Sequence, residues 1–334
     1  MTDLTLTSPT FLHKSQNRRV TLALLTQGAI EPNNHSVWAG AAAAARDAGV
    51  NLICFPGRPL QSPAEFEAQR NVVYELAAPE TVDGLVIWGI NAFIDPEATY
   101  EFIRRFHPMP VVTTSIVLDG VPGVSAANYY GMSEIVSHLI KVHNRRRIAY
   151  IRGPAGHQEA IARYQAYQDV LKENGIPFDE SLIFQGDFKE SSGTQAARTL
   201  LDERKVKFDA LAAANDGMAI GAMKVFQSRG VRVPEDVAVA GMDSDERGLV
   251  MTPPLTTAPL HFYEQAYQAT IMVIAALEGR EVPQKVILPT WLEVRQSCGC
   301  ADPIVQRAEA IPHTEKLDSF TDEIKLLNSL VYGE

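Results

Sequence analysis

Short apolar runs alternate with longer segments whose apolar residues recur at helical spacing, and the alternation persists from Val20 to Leu288. Val20 to Leu25 reads as a strand, followed by a polar loop from Thr26 to His35 and an alanine-rich helix from Ser36 to Ala48 that Gly49 closes. The cycle repeats as strand Leu52 to Phe55, helix Ala64 to Leu76, strand Gly84 to Trp88, helix Pro96 to Phe106 and strand Val111 to Thr114. After Pro122-Gly123 it resumes with helix Tyr130 to Val142, strand Arg147 to Arg152, helix Gln158 to Asn174, strand Leu182 to Gln185 and helix Ser192 to Arg204. Strand Ala210 to Ala214, helix Gly217 to Ser228, strand Val237 to Ala240, helix Phe262 to Leu277 and strand Val286 to Leu288 complete the series. Strands separated by helices of this length imply parallel βαβ units with right-handed crossovers. Two halves with the same order of elements predict an α/β fold of two doubly wound parallel sheets.

Polar residues interrupt this pattern most sharply where strands end. The run Ala210 to Ala214 stops at Asn215-Asp216, and Val237 to Ala240 stops at Gly241-Met242-Asp243. Ligands of open α/β sheets sit outside the carboxyl ends of the strands, so Asn215 and Asp243 are placed to converge on one small molecule. Asp216 is read as the N-cap of the following helix.

The stretch from Ala214 through Thr257 resembles the effector domain of the LacI/GalR family of repressors. The resemblance is carried by Ala214-Asn215-Asp216, Met218 to Ala222, Arg232 to Val239, Gly241-Met242-Asp243 and Pro253 to Thr257. It implies the type I periplasmic-binding-protein-like architecture, in which three crossings, near 124–128, 257–260 and 288–291, form a hinge between two subdomains. The implied division is an N-terminal arm 1–18, a first subdomain 19–125 plus 260–288, a second 128–257 plus 291–300, and a linker with a C-terminal helix in 301–334.

The same resemblance, with the chemistry of each residue, nominates the binding site. Arg163 offers a guanidinium fork for a carboxylate or paired hydroxyls, and sugar- or purine-binding relatives use it with the aspartate matching Asp243. Phe188 matches an aromatic position, Phe262 another, and Trp88 ends a strand of the first half; each ring can stack on a sugar or base. Gln27, Asn33 and Asn34 supply amides in the first loop. Ser115 stands where relatives often carry aspartate, and Asn128 replaces a second aspartate. His157 and Glu159 precede or open the Arg163 helix as further candidates, His157 otherwise reading as a solvated loop residue, and they depart from the purine-binding pattern.

Composition narrows the function. The 334 residues carry a formal net charge of −10, which repels phosphate backbones, so no direct nucleic-acid partner is expected. No apolar run approaches membrane-spanning length and no signal-peptide pattern opens the chain, so a cytoplasmic home is expected. Only eighteen residues precede Arg19, too few for a helix-turn-helix headpiece. Among the three cysteines, Cys298 and Cys300 are too close for a structural disulfide and too few for a zinc site, so neither metal nor cofactor is expected. Leu317, Phe320, Ile324, Leu327 and Val331 recur at helical spacing, as a helix that packs on the body, pairs in a dimer or leads into an output module.

The expected function is a non-enzymatic sensor of a sugar or other small polar metabolite. It would close two lobes on its ligand and signal through a partner protein or an appended output domain, with homodimerisation as in relatives. The alternative is an enzyme on the same scaffold, against which stands the lack of a phosphate-binding glycine motif or a nucleophile triad.

Overall fold

The computed structural model describes residues 18–28, 33–60, 66–90 and 96–301. The start of the expected arm, part of the first loop, the expected start of the second helix and the C-terminal helix lie outside the described residues. The first sheet is built by β1 (Thr21–Gln27), α1 (Asn34–Asp47), β2 (Asn51–Gly57), β3 (Gly84–Trp88), α2 (Pro96–Arg104), β4 (Val111–Thr114) and β5 (Gly123–Ala126). The second follows with α3 (Asn128–Lys141), β6 (Ile148–Arg152), α4 (Gln158–Glu173), β7 (Ile183–Gln185), α5 (Glu190–Arg198), β8 (Ala210–Ala213), α6 (Asp216–Ser228), β9 (Ala238–Ala240) and the short α7 (Glu246–Leu249). Then α8 (Phe262–Leu277) and β10 (Lys285–Leu288) return to the first sheet.

Six strands run in the order β10-β5-β4-β3-β1-β2 and four in the order β7-β6-β8-β9, with every pair parallel. Central strands are covered on both faces, which is why β3 and β8 are apolar almost without interruption and wholly buried. One face of the six-stranded sheet packs on α1 and α8 through Ala41, Ala44, Ala45, Ala266, Ala269, Met272 and Val273. Small residues let those two helices approach closely: a Cβ on Gly40 would run into the Tyr263 carbonyl. The opposite face is filled by Tyr74, Phe102, Ile103 and Phe106, and the second sheet has its own core around Tyr150, Leu211 and Phe226.

Three connections link the sheets, and they are laced together. The Ala127 amide donates to the Leu288 carbonyl at 2.9 Å, and Thr290 Oγ1 donates to the Pro259 carbonyl at 2.5 Å. Thr257 and Glu293 exchange two backbone hydrogen bonds of 3.1 and 2.8 Å, returning 291–296 to the second sheet.

Several expectations change. Residues 123–126, expected as the start of a crossing, form β5, because pairing with β4 and β10 stabilises a segment too short and too polar to show a strand pattern. Ala68–Leu76 is a 3-10 helix rather than an α-helix. There Asn71 accepts from the Arg58 amide at 2.7 Å and donates to the Pro59 carbonyl, side-chain bonds that compete with regular helical turns. The helix expected to run to Arg204 widens into a π turn at Thr199–Glu203.

Candidate functional site

The carboxyl ends of both sheets open onto one cleft, continuous with solvent at its mouth. From the first sheet, Gln27 ends β1, Trp88 ends β3 and Ser115 follows β4, while Asn33 precedes α1. From the second come His157, Glu159 and Arg163 at the start of α4, Phe188 after β7, Asn215 after β8 and Asp243 after β9, with Phe262 opening α8 between the sheets. All eleven line the cleft. Asn34 does not, because its amide donates to the carbonyls of Gln27 at 3.1 Å and Gly28 at 3.0 Å and so pins the loop behind β1.

A buried polar network occupies the floor. Arg163, only 2% exposed, donates from Nε to Asn128 Oδ1 at 2.7 Å, from Nη1 to the Ala214 carbonyl at 2.5 Å and from Nη2 to Glu159 Oε2 at 3.4 Å. Asn128 in turn donates to Glu159 Oε1 at 2.9 Å. The Asn128 amide thereby bridges a buried cation and a buried carboxylate, giving one an acceptor and the other a donor. Much of the Arg163 fork is thus engaged inside the protein.

Asp243 is less well served. Its partners among the described residues are Asn215 Nδ2 at 3.4 Å and Arg163 Nη1 at 3.6 Å, both long for a carboxylate. Burial pushes its carboxyl well above the usual range, opposed by the Arg163 charge. Spare acceptor capacity at a buried wall is what a ligand O–H or N–H donor would fill. His157 offers a second such atom. It is not the solvated loop residue that its position suggests: its Nδ1 is buried without a hydrogen-bond partner among the described residues, and burial lowers its pKa, opposed by Glu159.

Asn215, and not Asp216, caps α6. Its Oδ1 accepts from the Met218 amide at 3.0 Å while its own backbone is extended. The Asp216 amide is already bonded to the Met242 carbonyl at 2.7 Å, and its carboxyl turns away to meet the crossing segment. Thr257 Oγ1 lies 2.8 and 2.9 Å from its two oxygens, and the Asp245 amide donates to Oδ2 at 2.8 Å. Burial lifts this carboxyl to about 7 despite those donors.

Aromatic rings form the remaining walls. Trp88 and Phe262 meet edge to face, 5.8 Å between centroids, so both are core packing and lining at once. Phe188, at φ 69°, stands perpendicular to the His157 ring at 5.2 Å and receives the Arg163 guanidinium 5.5 Å from its centroid. Gly153 allows this, since a Cβ there would strike the Phe188 ring.

Other lining residues were not expected from the sequence, among them Arg58, Glu67, Lys189, Asp245 and Arg247. Asp245 is buried and grips Arg247 through both oxygens, with Nη2 to Oδ2 at 2.6 Å and Nε to Oδ1 at 3.0 Å. Arg58, Glu67 and Lys189 lie in loops, where no periodicity marks direction, and Asp245 caps α7, which holds Arg247 and is too short to show a helical pattern.

Residues 136–298 match the family of periplasmic binding protein-like domains. The chain is 30% identical over 274 residues to the HTH-type transcriptional regulator CelR of Thermobifida fusca, covering 80% of this chain and 76% of that protein. The chain belongs to the LacI family. A second LacI-family relative, the HTH-type transcriptional regulator AscG of Escherichia coli strain K12, is 37% identical over 144 residues, 43% of this chain and 42% of its own length. The solved CelR–cellobiose complex superposes with a TM-score of 0.72 at 30% identity, over 84% of this chain and 85% of that one. These relatives are transcriptional regulators, and the LacI fold accounts for both sheets and their crossings. Among the described residues, no helix is long and apolar enough to cross a membrane.

Proposed function

We propose that this LacI-family chain senses a sugar or a similarly hydroxylated metabolite, without catalysis, by holding it between its two lobes. The lobes are residues 19–125 with 260–288 and residues 128–257 with 291–300. Their closure on ligand is passed to a partner protein or an appended module.

The observation that carries this reading is the Asp243 carboxylate, nine-tenths buried on the cleft wall with two long contacts among the described residues. A pair of sugar hydroxyls donating to it would supply the missing hydrogen bonds. The C–H faces of a ring would lie against Trp88, Phe188 and Phe262, and the unpaired His157 Nδ1 would take one more polar contact. That CelR is solved with cellobiose makes glucosides the first compounds to try.

The test is thermal unfolding against sugars, nucleosides and amino acids. A true ligand at about a hundred times its Kd stabilises the native state by roughly 2.7 kcal/mol, a rise in Tm of roughly 4 °C for a chain of this size. Asp243→Ala is expected to abolish that rise while the unliganded protein keeps its circular dichroism. Failure of every sugar to stabilise the wild type, or an equal rise in the variant, would remove the reading.

A further inference from the structure

Away from the cleft, the described residues hold a cluster of metal-ligating side chains: His138, His143, Cys298 and Cys300, whose ligand atoms all lie within 4.8 Å of one another. His138 is in the last turn of α3, and His143 lies just beyond that helix. Cys298 and Cys300 flank Gly299 at the end of the 3-10 turn Gln296–Cys298. We propose that these four residues form a structural zinc(II) site. In the sequence alone the two cysteines have too few companions for a metal, and the fold brings two histidines beside them.

Geometry carries the assignment. The two Nε2 atoms are 3.2 Å apart, and His138 Nε2 lies 3.4 Å from Cys298 Sγ and 3.5 Å from Cys300 Sγ. Cys300 Sγ lies 3.3 Å from His143 Nε2. A tetrahedral zinc with bonds of about 2.0–2.1 Å to nitrogen and about 2.3 Å to sulfur has N···N edges of about 3.3 Å and N···S edges of about 3.5 Å. The four distances fall within a few tenths of those edges.

Hydrogen bonding alone does not satisfy the arrangement. An imidazole Nε2 carries either one proton or one lone pair, yet His138 Nε2 faces three partners at once. One cation at their centre serves all four donors. Among the described residues, the side chains of His138, His143 and Cys300 make no hydrogen-bond contact outside the cluster; the Cys298 thiol also reaches the Arg295 carbonyl at 3.3 Å.

The backbone is shaped to the same end. Gly299, at φ 112°, permits the turn that brings two near-adjacent sulfurs to one side, and a Cβ there would sit 3.1 Å from His143 Nδ1. Two thiolates and two imidazoles in a tetrahedron select zinc over magnesium, calcium or manganese. Four protein ligands leave no open position, so the site is structural rather than catalytic. It clamps residues 296–300 to α3, at the end of that helix about 15 Å from Asn128 and the cleft. Ser297 reinforces the clamp by donating to the Val239 carbonyl at 2.6 Å and accepting from the Thr256 amide at 2.8 Å.

The full chain, without a histidine tag and grown with zinc, is purified under reducing conditions and its metal content measured by mass spectrometry. The expected result is close to one zinc(II) per chain, displaced only by strong chelators. Cobalt(II) added to the stripped protein should give the visible bands of a tetrahedral site and a thiolate charge-transfer band. His143→Ala and Cys300→Ser alter partly exposed residues, and each should weaken cobalt uptake by more than about a hundredfold, beyond the loss typical of an outer-shell partner. In the wild type, zinc should protect Cys298 and Cys300 from alkylation until chelator is added, which tests the site without any variant. Zinc-free protein that takes up no cobalt, a Cys298–Cys300 disulfide in its place, or unchanged uptake by both variants would overturn the proposal.

Discussion

Replacing Asp216 by asparagine removes one charge and almost no volume at a position that is fully buried. Burial lifts the Asp216 carboxyl from 3.8 to about 7, against the donors on Thr257 and Asp245. In the folded state the group therefore keeps its proton to higher pH than in the unfolded chain. Between about pH 4 and about pH 7 the folded protein binds more protons, so the contribution of Asp216 to stability falls as pH rises through that window and is level outside it. A separation of about three pH units corresponds to about 4 kcal/mol at roughly 1.4 kcal/mol each. Nearly every other titrating group is common to both proteins and cancels in the difference. Asp243 is the exception, being raised in part by the Asp216 charge. Losing that charge eases Asp243 ionisation in the variant and so adds to the effect in the same sense. Urea unfolding of wild type and Asp216→Asn from about pH 4 to about pH 8 provides the measurement. The stability of the wild type relative to the variant should fall by about 4 kcal/mol across that range, and by no less than about 2. Curves that stay parallel within about 0.5 kcal/mol would refute the reasoning, whatever their constant offset.

Arg163→Met keeps the length of the side chain but leaves Asp243 and Glu159 buried without their cation and Asn128 without its donor; equilibrium unfolding at neutral pH should register a loss of about 3–5 kcal/mol, and a loss below about 1 kcal/mol would mean the network carries little. Gly241→Ala introduces a Cβ into Asp216 Oδ1 with no positive φ to confuse the result; thermal unfolding should show a destabilisation of about 1–3 kcal/mol or more, and an unchanged Tm would show that Asp216 can move aside.

Sequence periodicity marks the scaffold well where burial is continuous. The limits read for β3, β4 and α8 coincide with those observed: β3 is apolar and buried throughout, β4 joins two valines to two buried threonines, and α8 carries the buried apolar run Ile271 to Ala275 before Glu278 ends it. At the cleft, strand ends directed attention to Asn215 and Asp243, and family resemblance to Arg163 and Phe188, all of which line it. What neither could reveal was how those groups are employed. That Asn215 caps the helix while Asp216 braces the crossing depends on Thr257, which only the fold brings near. The histidine–cysteine cluster was hidden for a similar reason, since His138 and Cys298 stand 160 residues apart in the chain and neither pair is sufficient alone.

The position of α8 and β10 has a bearing on how this protein is made. The six-stranded sheet begins with the first described strand, yet its edge strand and the helix covering one of its faces arrive only with residues 262–288. A ribosome moving from the amino end therefore completes every strand of the four-stranded sheet before the earlier one can seal its interior. Throughout that interval Leu22, Leu24, Val86 and Val112 have no α8 to shelter against, so the sheet that starts earlier stays open on part of that face while the other is being made.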